Sequence, residues 1–248
     1  MYHIKEIFET IQGEGARTGE QSTFVRFRGC NLWSGRLDKR DVGKGACADW
    51  CDTDFADGVA YLRPTDVSAS MDAVWRKRHN YSTVKTAKRW CVLSGGEPML
   101  QVDDELVDCL HAEGWNVAVE TNGTILNEAI EKVDWVCVSP KLLKDGSASE
   151  LNIREGQELK VIIPGGTNGI GWSNEALQYL RWTTDFEYYF LQPQDPIEPV
   201  SLNASYLVGL LPQAETLYEA NKRSCLAFID NNPDWELSIQ THKIQGIP

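Results

Sequence analysis

Three cysteines set the strongest constraint on this chain. Cys30 opens Cys30-Asn31-Leu32-Trp33, and after a polar loop the chain returns as Cys47-Ala48-Asp49-Trp50-Cys51-Asp52-Thr53-Asp54. A structural zinc site takes four protein ligands in a closed tetrahedron. An iron–sulfur cluster with one open iron takes three, and thiolates suit both metals. The ligand count has to separate the two, and the rest of the chain supplies the other constraints.

The chain holds seven cysteines in all. Cys91, Cys109, Cys137 and Cys225 have mostly apolar neighbours, where a free cysteine acts as a small buried hydrophobe. They are expected to fill the core. The odd number speaks against a disulfide framework. A formal charge of −12 argues against nucleic acid as a partner, because phosphate binding rewards clustered Lys and Arg. No N-terminal signal pattern and no apolar run of bilayer length is seen. The expectation is a cytoplasmic protein with no membrane association.

At 248 residues the chain is long enough for one layered α/β domain. Strands are expected at 3–11, 23–27, 90–93, 115–119, 134–138, 158–163, 187–191 and 235–240. Pro64 with Thr65 and Asp66 looks like a helix start, and Val67, Met71, Val74 and Trp75 then fall at helical spacing. Residues 103–113 predict a helix with Leu106, Val107 and Leu110 inward. Shorter helices are expected at 126–132 and from Ser173, and a longer one at 214–229. The stretches 144–156 and 196–212 read as irregular, and 241–248 as a polar tail. Most strands finish in a polar tip containing Gly or Pro: Gln12-Gly13-Glu14-Gly15, Ser94-Gly95-Gly96-Glu97-Pro98, Glu120-Thr121-Asn122-Gly123, Ser139-Pro140-Lys141, Pro164-Gly165-Gly166 and Gln192-Pro193-Gln194-Asp195. Such alternation predicts a mainly parallel sheet with its chemistry at the carboxyl ends of the strands. There are too few units for a closed eight-stranded barrel, so the fold class expected is α/β, an incomplete (open) parallel β/α barrel of about six units.

The three cysteines, Trp50 before the last of them, and Ser94-Gly95-Gly96-Glu97-Pro98 after a strand resemble the radical S-adenosylmethionine (SAM) superfamily. More narrowly, the chain resembles the 7-carboxy-7-deazaguanine synthases. That likeness rests on Gln12-Gly13-Glu14-Gly15, Cys51-Asp52-Thr53-Asp54-Phe55, Glu120-Thr121-Asn122-Gly123, Ser139-Pro140-Lys141 and the ending Gln240-Thr241-His242-Lys243 to Ile247-Pro248, in order along nearly the whole chain. Two departures stand out. Sixteen residues (31–46) separate Cys30 from Cys47 where the superfamily usually has three, and three residues (48–50) separate Cys47 from Cys51 where it usually has two. A long surface loop costs little closure entropy. The extra residue in the second gap needs a local bulge or helical turn.

The resemblance implies a single radical SAM domain over residues 1–248, with a cluster-binding loop at about 30–54 and an active-site C-terminal tail. Cys30, Cys47 and Cys51 would hold a 4Fe–4S cluster whose fourth iron takes the amino and carboxylate groups of SAM. Gly96 and Glu97 would meet the methionine amino group. Trp50, Cys51, Asp52, Ser139, Pro140, Lys141, Gln192, Pro193, Gln194 and Asp195 would surround the adenosine. The implied substrate is 6-carboxy-5,6,7,8-tetrahydropterin, which loses a hydrogen at C6 and then ammonia as its ring contracts to 7-carboxy-7-deazaguanine. Arg26 would clamp its carboxylate through the planar guanidinium fork. Ile11, Gln12, Gly13, Glu14 and Glu120 would read its polar edge, supported by Ser94 and by the C-terminal carboxylate of Pro248. Thr53 would be a ligand of Mg²⁺, a hard cation completed by water and substrate oxygens. A flavodoxin-like reductant, a homodimer and a place in queuosine-type 7-deazapurine biosynthesis are implied in the same way.

Two other readings fit part of the sequence. A glycyl-radical enzyme activase shares the cysteines and the Gly-Gly-Glu-Pro turn, but gives no reason for Gln12-Gly13-Glu14-Gly15 or the Gln-Thr-His-Lys ending. A non-catalytic zinc module would need a fourth ligand, such as Cys91 or a histidine.

Overall fold

The computed structural model describes residues 1–78, 88–164, 171–195 and 204–247, with side chains in the helix that starts at Ala204 described from Leu217 onward. Its centre is an open sheet of nine strands: β1 (Tyr2–Ile11), β2 (Gln21–Phe27), β3 (Val59–Tyr61), β4 (Arg89–Gly95), β5 (Trp115–Thr121), β6 (Trp135–Val138), β7 (Glu155–Ile163), β8 (Asp185–Pro193) and β9 (Glu236–Leu237). Their order is β3-β1-β2-β4-β5-β6-β7-β8-β9. From β2 to β9 every neighbour pair is parallel. The amino-terminal edge is not, because β1 runs antiparallel to both β2 and β3. The sheet is therefore mixed, and the short strand β3 was not legible from its sequence.

Helices α1 (Pro64–Arg78), α2 (Asp104–Ala112), α3 (Asn174–Thr183), α4 (Ala204–Ile229) and α5 (Thr241–Gln245) fill most crossovers and the tail. Local chemistry sets their ends. Pro64 occupies the first turn, where a missing N–H is harmless, and Asp66 accepts a hydrogen bond from the Arg63 N–H at 3.1 Å. Asp103 caps α2 by accepting from the Leu106 N–H at 3.0 Å. Ser173 caps α3 in the same way through the Ala176 N–H.

One sheet face meets these helices. Val67, Met71 and Trp75 of α1 and Leu106, Val107 and Leu110 of α2 pack onto Val25, Phe27, Cys91, Leu93, Val117 and Val119. Burial of each such side chain contributes about 1.5–3 kcal/mol. A Leu106→Ala cavity would cost about 2–5 kcal/mol.

Several expectations are corrected. The helix expected at 126–132 is a 3-10 turn, Glu128–Lys132. The strand expected from 158 begins earlier, inside the expected loop, at Glu155. α4 starts at Ala204, not at 214. Pro212 lies within the helix, where a proline removes one hydrogen bond without having to end the element. Residues 196–203 of that expected irregular stretch fall outside the described residues, as do Gly165 and Gly166. β9 is two residues long, although the Ser238 N–H still donates to the Leu191 carbonyl of β8 at 2.9 Å; the Ser238 and Gln240 side chains bond the turn after β1. The tail is helical at α5.

The sheet curves strongly. The turn after β1 lies at the amino end of β2, yet Glu14 in it pairs with Lys160 on β7. Gly15 donates to Ser238 at 3.0 Å. That turn closes one end of the space enclosed by the sheet.

Candidate active site

The sheet face turned away from the helices lines a cavity of about 580 Å³. Alternation along each strand puts every second residue there: Glu6, Phe8 and Thr10 of β1, Phe24 and Arg26 of β2, Lys160 and Ile162 of β7. In β1 a register shift between Ile4 and Glu6 makes this possible. Tyr2 and Ile4 are in the core, so without the extra residue Glu6 would follow them to the helix side.

The cysteines lie at the carboxyl end. Cys30 follows β2, Cys47 sits in the 3-10 turn Ala46–Asp49, and all three thiols face the cavity. The extra residue between Cys47 and Cys51 is taken up helically: the Cys51 N–H donates to the Cys47 carbonyl at 2.7 Å. The long loop before it has a structural part in this. Its Arg40 guanidinium donates to the carbonyls of Ala48, at 2.7 Å, and of Cys51, at 3.1 Å.

Burial pushes the Cys47 thiol up to about 12, despite the pull of Lys141, and the other two thiols add to the rise. Cys30 and Cys51 are also raised by burial. The Leu32 N–H approaches the Cys30 sulfur at 3.4 Å. Three sequestered thiols of this kind become thiolates only beside strong positive charge. Among the described residues, no group of three or more His, Cys, Asp or Glu converges as one metal ion requires. Thiolates of an iron–sulfur cubane bind different irons, and the three-sulfur donor set fits such a group.

The glycine turn after β4 allows a close approach. A Cβ on Gly96 would stand 2.0 Å from the Gly29 carbonyl oxygen, and one on Gly95, at φ +129°, 2.2 Å from that of Phe27. These contacts bring Gly96 to the cavity wall beside Cys30. Glu97 is not on the wall. It is wholly buried, and its carboxylate accepts from the Met99 N–H, the Thr121 hydroxyl and the Asn122 N–H. Burial raises its pKa against those three donors.

Of the other residues singled out in the sequence, Trp50, Cys51, Asp52, Thr53, Ser139, Lys141, Gln192, Pro193, Gln194 and Asp195 line the cavity. Pro140 is buried between Ser139 and Lys141 and does not. Lys141 donates to the Ser139 hydroxyl at 2.5 Å. The Thr53 hydroxyl lies 3.4 Å from Asp52 Oδ1.

Ile11, Gln12, Gly13, Glu14, Arg26, Ser94 and Glu120 also line the cavity. Gln12 donates to Glu120 Oε1 at 2.9 Å. Arg26 donates through Nε to Glu6 at 2.7 Å and lies over the Phe8 ring, which leaves its terminal nitrogens for a ligand. Pro248 lies outside the described residues.

Sequence reasoning missed part of the lining. Lys160 and Asn122 are there, and Cys137, expected as core filler, adds its thiol. His242 and Lys243, read as an unassigned tail, close one side. A Cβ on Gly13 would collide with the His242 ring at 2.2 Å, so a glycine at 13 lets α5 settle on the site. The motif that contains His242 and Lys243 was a usable signal; Lys160 had none.

No family model matches the chain. It is 40% identical to the 7-carboxy-7-deazaguanine synthase of Bradyrhizobium diazoefficiens, over 99% of each chain. It is 38% identical to the synthase of that name from Caulobacter vibrioides and 37% to that from Burkholderia multivorans, in both cases over 100% of this chain and 99% of the relative. The chain belongs to the 7-carboxy-7-deazaguanine synthase family. The crystal structure of QueE from Escherichia coli superposes with a TM-score of 0.62 at 24% identity, over 96% of this chain and 93% of that one, so the fold is shared. Membership in the synthase family separates the chain from the activase reading, which left the turn after β1 and the ending unexplained.

Proposed function

We propose that the chain is a radical SAM lyase that converts 6-carboxy-5,6,7,8-tetrahydropterin to 7-carboxy-7-deazaguanine with loss of ammonia. Support comes from full-length relatives named for that product. The observation that carries the reading is one cavity onto which three thiols, a glycine turn and a floor of Gln12, Glu14 and Glu120 all open. When bound, the cluster supplies an electron and SAM the carbon-centred oxidant that removes one hydrogen atom from the substrate.

The remaining tasks fall to the protein. Cys30, Cys47 and Cys51 would hold the cluster, three thiols that leave SAM a place beside it. Gly96 gives backbone access to the methionine end, and Glu97 fixes the shape of that turn from beneath. Trp50, Asp52, Ser139, Lys141 and the segment 192–195 border the adenosine. Arg26 is already oriented by Glu6 and clamps the substrate carboxylate. Glu14 and Glu120 accept hydrogen bonds from the N–H edge of the pterin, a pattern that rejects rings lacking those donors. Thr53 would offer its hydroxyl to Mg²⁺, a hard cation that takes oxygen ligands. α5 covers the side of the cavity and limits the entry of water.

The same reading makes the sheet an incomplete barrel of about six units in a single domain over residues 1–248. It includes a homodimer, a flavodoxin-like reductant and a cytoplasmic setting in 7-deazapurine biosynthesis, and no described helix is long and apolar enough to cross a membrane.

The test is anaerobic turnover of the reduced, reconstituted protein with SAM and the carboxytetrahydropterin. Appearance of the deazapurine with one ammonia per product is expected. Cleavage of SAM without any deazapurine would reject the substrate.

A further inference from the structure

The cavity floor holds a cation with no part in the function proposed above. Lys160 sits on β7 between Leu159 and Val161, both core residues, so its side chain points to the opposite face and into the cavity. Only 4% of that side chain is exposed. Its ammonium bonds Glu14, and it faces Cys137 of β6, Glu120 of β5 and Glu158 of its own strand. Glu14 accepts from Gln240 Nε2 at 2.7 Å and faces His242 of α5.

A buried ion pair is a poor device for stability, since well-packed apolar residues often do as well. An apolar residue here could not keep a charge on Glu14. Burial alone drives that carboxyl up, and the Lys160 ammonium with the Gln240 amide brings it down to about 2. A carboxylate offers about four lone-pair sites. Lys160 and Gln240 take two of them, which leaves acceptor capacity on a side chain that lines the cavity.

We propose that Lys160 is a positioning residue of the substrate subsite: it keeps Glu14 ionised and in one orientation, so that the floor presents fixed acceptors to the N–H edge of the bound ring. This deepens the function proposed above and rests on it.

The experiment is calorimetric binding of the carboxytetrahydropterin to anaerobically reconstituted holoprotein between pH 7 and 9. Burial lowers the pKa of His242, so that imidazole stays neutral throughout. The parent should bind with a Kd that is flat across the window. Lys160→Met should bind at least about tenfold more weakly at pH 7, the usual effect of losing a charged hydrogen-bond partner. Its affinity should recover as pH rises, because Glu14 then regains its charge only in more basic solution. A double variant with Lys160→Met and Glu14→Gln should be weak and pH-independent.

A Lys160→Met protein that binds like the parent, with the same flat profile, would overturn the proposal and leave the pair a structural pin. Should that variant not fold, the double variant decides, since it removes the Glu14 charge together with that of Lys160. Glu158, which also faces Lys160, keeps its hydrogen bond from Trp135 Nε1 at 2.6 Å. A Kd within about twofold of the parent refutes the proposal, and a tenfold weaker one supports it. A parent that does not bind the pterin refutes the substrate first, and the role of Lys160 with it.

Discussion

Lys243 Nζ stands 2.7 Å from Asp52 Oδ2 and joins the C-terminal helix to the residue that follows the third cysteine. Asp195, at the tip of β8, is 3.4 Å from the same ammonium. One side chain thus ties three segments that are distant in sequence around the mouth of the cavity.

Loss of this tie should loosen cofactor binding more than the fold. The groups are partly exposed, and such pairs contribute at most about 1 kcal/mol. Lys243→Ala should therefore weaken SAM binding roughly two- to fivefold, with a melting temperature within a few degrees of the parent. Equilibrium titration with SAM and a thermal scan check both parts.

Glu14 gives the molecule an acid-sensitive contact. Burial opposes its charge, but Lys160 and Gln240 lower its pKa from 4.5 to about 2. A carboxyl lowered on folding stabilises the folded state fully above its unfolded pKa, and that stability disappears as pH falls through the folded one. Urea unfolding of the parent should thus lose a few kcal/mol of stability from this group as pH falls from about 4.5 towards 2. Glu14→Gln should lack that component, which the difference between the two curves isolates.

The glycine turn tolerates no side chain. The Cβ of Gly96→Ala would press on the Gly29 backbone, 2.0 Å away, and backbone cannot swing aside as a flexible side chain can. Overpacking costs about 1–3 kcal/mol, and the displaced turn should lose most of its SAM affinity. Urea unfolding measures the first effect and SAM titration the second.

Much of this was readable in the sequence because it is local. Leu106, Val107 and Leu110 are inward on α2 as their spacing requires, and Asp103 caps it. The motifs at 94–98, 139–141 and 192–195 reach one cavity because parallel strands deliver their carboxyl-terminal tips to the same edge, whereas the turn at 12–15 follows the antiparallel β1 and closes the cavity from the amino end of β2. What was not readable depends on contacts between distant segments. A lysine flanked by Leu159 and Val161 looks like the solvent side of a half-buried strand. It becomes an interior cation only because the sheet curves and the turn at 12–15 closes over it. The register shift that turns Glu6 inward leaves no mark on composition. The charge at Glu97 looks like a ligand in the sequence and serves in the structure as a brace for Met99, Thr121 and Asn122. The sequence placed the start of α4 at 214, whereas the helix begins at Ala204 and runs through Pro212.

The account depends on three thiolates that leave one iron free for SAM. Electron paramagnetic resonance of the anaerobically reconstituted, reduced protein, recorded with and without SAM, tests that most directly. The expected result is a 4Fe–4S signal that SAM alters, and its loss in Cys47→Ala as completely as in Cys30→Ala. A signal indifferent to SAM, or one that survives Cys47→Ala, would contradict it.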